Sequence, residues 1–211
     1  MSQFNATFSN AEGLCRTVLS YEKGLFRMRL THTLFEGKSL EAMKLKSNPS
    51  SAFQKMQEGE ILRNFQLIFK VPLPQASEDD FLAIKAKINQ ENKIRRYQHN
   101  FEAHLYTDHY VFKTQEQHNS LRSTLAELKD KLPDEYPLNT CFFCALSDFH
   151  PQDSASFGRM RCFKSQAEAY LKSDYLDDVE MLLEQDPPPT TELSGCEDFR
   201  ERMPGQGFIV D

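Results

Sequence analysis

Tryptophan is absent from this chain of 211 residues. No apolar run approaches the ~18–20 residues that a membrane helix needs, which excludes a helical membrane span. The first 30 residues lack the charge–apolar–small order of a secretory signal peptide. The expected location is therefore the cytoplasm of the producing cell, unless another route carries the chain out. No Gly-rich phosphate loop, His-Glu-x-x-His or Gly-x-Ser-x-Gly occurs, so the signatures of those nucleotide, zinc-protease and serine-hydrolase sites are missing. Positive charge is also short. Against 31 Asp and Glu stand 25 Lys and Arg, a net of -6 and a pI near 5.6. Nucleic-acid binding needs cations to displace counterions, so no nucleic acid is expected as a partner. Cysteine is sparse and odd in number, five residues, which favours reduced thiols over a disulfide framework.

What is present is enough apolar material for a core. Apolar residues make up 39% of the chain and phenylalanine alone contributes 17. Charge is divided unevenly: residues 1–132 carry a net of +4 and residues 133–211 a net of -10. A mildly basic body is thus followed by an acidic region. Asp186-Pro187-Pro188-Pro189 stops any helix before it. The expected organisation is one domain over residues 1–185 and a flexible, acidic, polar tail over 186–211.

Local patterns suggest mixed elements. Ser9 or Asn10 can cap a first helix through Leu14, Val18 and Tyr21, ending at Gly24. Ala52–Gln57 reads as helix after an Asn48-Pro49 turn. Asn64–Val71 reads as strand. Phe81, Ile84 and Ile88 recur at helical spacing behind Ser77-Glu78-Asp79-Asp80, which resembles a capping box. Phe101–Lys113 reads as a strand or bent hairpin, and Leu121, Leu125, Leu128 and Leu132 as an amphipathic helix. Asn139–Leu146 has the composition of a buried strand; a strand at Gly158–Phe163 and helices from Ser165 and Tyr175 follow. Helices and strands without βαβ alternation give an α+β domain.

Cys15 lies in Gly13-Leu14-Cys15-Arg16-Thr17-Val18, near the expected start of that first helix. A thiol in the positive end of a helix dipole is shifted towards thiolate, the nucleophilic form, and Arg16 adds to the field. The bland reading is a small buried apolar side chain. A histidine partner would have to reach the thiol and be oriented by a third group. His109 has Asp108 beside it. His150 has Asp148 two residues away, on the same face if the segment is extended.

Gly-x-Cys, with an apolar residue three on and an aromatic six on, resembles the nucleophile helix of papain-like cysteine proteases used as effectors by intracellular bacteria. Phe149-His150-Pro151-Gln152, then Gly158, Arg159–Phe163 and Ser165, resembles the later turn, strand and capped helix of those families. Their aspartate position is held here by His150. Near the end, Glu197, Asp198, Glu201 and Ile209 are similar to the C-terminal export signal of Dot/Icm type IV effectors. The resemblance implies a papain-like fold and a translocated effector acting on a host protein through Cys15, with His150, Asp148 or His109 assisting. Protease, deubiquitinase and deamidase chemistry are all open, with ubiquitin or a ubiquitinated protein among the partners. The alternative is a non-enzymatic interaction module or an inactive relative of that fold.

Cys141-x-x-Cys144, His150 and Cys162 are ligand types that suit tetrahedral zinc. Strand alternation, however, sends Cys141 and Cys144 to opposite faces. The expectation is core cysteines, with no metal and no cofactor.

Overall fold

A computed structural model describes residues 2–47, 59–73, 80–90, 97–115, 117–149, 157–158, 160–173 and 176–203. The expected α+β, papain-like architecture is not what the chain forms. Its body is a nine-stranded antiparallel sheet, and the helices are few and short. The strands are β1 (Ser2–Asn10), β2 (Gly13–Glu22), β3 (Leu25–Leu30), β4 (Thr33–Gly37), β5 (Lys44–Ser47), β6 (Phe65–Pro72), β7 (Phe81–Gln90), β8 (Tyr97–Tyr106) and β9 (Val111–Lys113). Their order in the sheet is β5-β4-β3-β2-β1-β6-β7-β8-β9.

The expected first helix is a hairpin. Asn10 Oδ1 accepts from the amides of Glu12 (3.0 Å) and Gly13 (3.2 Å), closing the turn between β1 and β2. Period two outcompetes the helical spacing of Leu14 and Val18. Phe4, Ala6 and Phe8 on β1, with Leu19 and Tyr21 on β2, all enter the core, while Leu14 and Val18 face out. Lys23 and Gly24 both have positive φ (50° and 78°). That pair makes the mirror-image turn whose twist suits a two-residue hairpin, and glycine takes it without strain. The expected helix behind Ser77 is β7, in which Leu82, Ile84, Ala86 and Ile88 alternate inward. Residues 74–79 lie outside the described residues, as does the expected Ala52–Gln57 helix.

Helix α1 (Leu121–Lys131) forms as its leucine spacing predicts. Ser120 caps it, its Oγ accepting from the Ser123 amide at 3.2 Å. Leu121, Leu125 and Leu128 close over the core face of the sheet beside β8.

A second, smaller unit follows. Strands β10 (Ser147–Phe149), β11 (Met160–Cys162) and β12 (Pro189–Thr190) make a three-stranded sheet, with helices α2 (Ala167–Leu171) and α3 (Leu176–Leu183) between β11 and β12. The expected strand at 139–146 is replaced by a single 3-10 turn, Cys141–Phe143, closed by the Cys144 amide donating to the Cys141 carbonyl at 3.2 Å. The expected tail boundary at 185 also moves. Thr191, Glu192 and Leu193 are buried, and the main chain is hydrogen-bonded to the body as far as Arg202.

Phe157 joins the two units. Its ring lies 4.9 Å from that of Phe26 and 5.8 Å from that of Phe69. Gly158 follows with φ +80°, and a Cβ there would stand 2.4 Å from the Phe26 ring. Gly158→Ala therefore combines a left-handed backbone with overpacking. It is expected to destabilise the fold by about 1–3 kcal/mol, read as a lower urea midpoint at unchanged m-value.

Candidate functional site

Cys15 sits on β2, opposite Phe8 of β1, with its side chain packed at the margin of the sheet core. It is not at a helix N-terminus, and partial burial raises its pKa above the ordinary thiol value. His109 is exposed in the turn between β8 and β9, where the Thr107 amide donates to the Tyr110 carbonyl at 2.9 Å. Four strand spacings separate β2 from β8, about 19 Å along the sheet. The two residues also lie at opposite ends of it: Cys15 shares a row with Phe8, Leu67, Ala86 and Phe101, whereas His109 follows Tyr106. Cys15 and His109 are not brought together. His150 lies outside the described residues.

Asp148 belongs to β10 in the smaller sheet and is fully buried. Its Oδ2 accepts from the Tyr170 hydroxyl at 2.7 Å and its Oδ1 from the Phe149 amide at 2.8 Å. Burial and the neighbouring Asp148 charge push the Tyr170 phenol well up, so it stays a donor. Tyr170 also stacks on Phe163 at 4.3 Å. This bond pins α2 to β10.

Sequence reading missed two charges beside it. The Arg122 guanidinium lies 3.3 Å from the centre of the Phe149 ring and is attracted by both Glu192 and Asp148. Glu192 is fully buried; its Oε2 accepts from the Gly158 amide at 2.8 Å, and its Oε1 has no hydrogen-bond partner among the described residues. Burial raises its pKa to about 7, with Arg122 and the Gly158 amide pulling the other way. Helical and strand patterns gave no signal for these two, because each is a single polar residue in an unremarkable stretch.

The outer face of the large sheet is open to solvent. Leu14 (72% exposed), Val18 (43%) and Ile68 (39%) lie on it. They interleave with Arg16 and Lys70: Thr7 of β1 pairs with Arg16 on one side and Ile68 on the other, and Asn5 pairs with Val18 and Lys70. Arg27 is held by Glu36 (2.8 Å) and Glu22 (3.2 Å), and Lys85 by Glu102 (2.8 Å). Arg16, Arg29 and Lys70 face no carboxylate among the described residues, although Lys70 stands 3.9 Å over the Phe81 ring. Two acids of the expected export signal are engaged elsewhere, Glu201 by Lys129 (2.7 Å) and Asp198 by Lys164.

An open antiparallel sheet with an appended three-stranded unit is thus the class of structure, and no helix among the described residues is long and apolar enough to cross a membrane. The chain belongs to the family of unknown function DUF6304, whose model matches residues 2–147. No curated protein and no solved structure matches it.

Two outcomes follow from these environments. Iodoacetamide titrated against pH is expected to alkylate Cys15 no faster than a free cysteine of pKa about 8.5. The second concerns Glu192, which in the folded state keeps its proton up to about pH 7, above its unfolded value of 4.5. The folded chain then binds more protons than the unfolded one between those values, so its contribution to stability is lost as pH rises through them. Glu192→Gln is expected to flatten that decline, a difference of order 2 kcal/mol between urea unfolding at about pH 5 and about pH 8.

Proposed function

We propose that the protein is a non-enzymatic interaction module that docks a partner protein with an acidic surface against the outer face of its nine-stranded sheet. One observation carries this reading: exposed apolar side chains and cations without carboxylate partners alternate at the centre of that face, on β2 and β6, to either side of Asn5 and Thr7 of β1. Apolar contacts supply affinity on such a surface, and the surrounding charge supplies orientation and rate. The environment of Cys15, a thiol held protonated with no described histidine beside it, lends no matching support to catalysis.

The test uses an acidic peptide with interspersed leucines as probe and a DNA duplex as the competing class. Arg16→Glu/Lys70→Glu is expected to weaken peptide binding about tenfold or more, equivalent to about 1.4 kcal/mol, with the melting temperature unchanged. Salt should weaken the wild-type complex. Equal binding by the double variant, no binding by the wild type, or tighter binding of the duplex overturns the reading.

A further inference from the structure

Four of the five cysteines belong to the smaller unit, and the fold gathers segments that lie far apart in sequence around them. Cys141 opens the 3-10 turn Cys141–Phe143 and Cys144 caps it. Residues three apart in such a turn eclipse one another, so both side chains leave on one side. That removes the alternation which kept them apart on a strand. Cys162 ends β11, where it pairs with Ser147, and the Phe163 amide donates to the Leu146 carbonyl at 2.8 Å. The third segment is carried in from the C-terminal side. The Cys141 amide donates to the Ser194 carbonyl (2.6 Å), the Ala145 amide to Arg200 (2.7 Å) and the Arg202 amide to Phe143 (2.9 Å), which brackets Cys196. Cys141 lies within electrostatic reach of Cys144, Cys162 and Cys196, and Cys162 of Cys144 and Cys196.

Donors and cations are placed around the sulfurs. The Leu146 amide donates to Cys144 Sγ at 3.5 Å, and an N–H bond to sulfur supports a metal-bound thiolate. The Lys164 ammonium is ion-paired with Asp198 and lies within electrostatic reach of Cys196 and Cys162. Arg202 donates from Nη2 to the carbonyls of Cys144 and Ser147, while its buried Nε and Nη1 have no partner among the described residues. Cys141 Sγ itself lies 3.4 Å from Thr190 Oγ1 on β12.

We propose that Cys141, Cys144, Cys162 and Cys196 form a structural tetrathiolate site for a zinc ion. Four S–H bonds give their protons to solvent and four Zn–S bonds form, leaving the site with two negative charges beside Lys164 and Arg202. No oxidation or reduction is involved. Among the described residues no three His, Cys, Asp or Glu side chains are already grouped to hold a metal ion. Binding the ion therefore requires the four sulfurs to move together, with Cys141 Sγ leaving Thr190 Oγ1. The ion would tie β10, β11 and the 194–202 segment together.

Metal analysis of the full chain after dialysis tests this, with about one zinc per chain expected. Cys162→Ser and Cys196→Ser should each lose it, and Cys15→Ser should keep it. Because those serine variants can misfold, wild-type protein is also exchanged with cobalt(II). Thiolate-to-cobalt charge-transfer bands and the d–d bands of a tetrahedral ion are expected. A wild-type chain with no bound zinc and no such bands overturns the proposal, as does zinc retained in both variants or the four sulfurs recovered as disulfides.

Discussion

One-sided burial of the large sheet is the constraint on which the rest depends. Strands β1 to β8 alternate so that one face carries a continuous apolar layer that includes Phe4, Phe8, Phe26, Phe35, Phe65 and Phe69. Each large side chain buried there contributes roughly 1.5–3 kcal/mol of transfer free energy. The face has to be covered. Helix α1 covers part of it with Leu121, Leu125 and Leu128, and Leu40, Met43, Leu62, Leu138, Phe157 and Leu193 supply the remainder from loops and from the smaller unit. The C-terminal third is thus anchored to the core through Phe157 and Leu193.

An open sheet also has edges to protect. Main-chain bonds between Leu45 and both Glu60 and Gly59 cover the outer side of β5. At the other end β9 is only three residues long, and His118 pairs with Phe101 to occupy the part of β8 that β9 leaves free. Short, covered edges discourage pairing with other chains.

Charge follows the same division. The sheet places its cations on the outer face because the inner face has no water to solvate them. The acidic C-terminal region is partly tied back to the body through Lys129–Glu201 and Lys164–Asp198. Three ionisable residues, Asp148, Arg122 and Glu192, lie at the junction of the two units, where Tyr170, Phe149 and Gly158 receive them. Buried polar groups of this kind specify an arrangement more than they stabilise it.

By itself the sequence determined the leucine helix at 121–131, the strand at 65–72, the division of charge and the reduced state expected of its cysteines, since spacing, composition and cysteine count carry those directly. It did not determine β2 or β7. Leu14, Val18 and Tyr21, or Phe81, Ile84 and Ile88, satisfy a helical period as well as a strand one, and only pairing with β1, β6 and β8 decides between them. Nor was the surrounding of Cys15 legible, because its supposed field came from a helix that tertiary pairing replaces with a hairpin. Segments 141–144 and 194–202 are about fifty residues apart, and main-chain bonds between them turn an apparent core strand into a bend. Local pattern carries no record of such long-range bonds, so the approach of the segments that carry these cysteines was decided by tertiary structure alone.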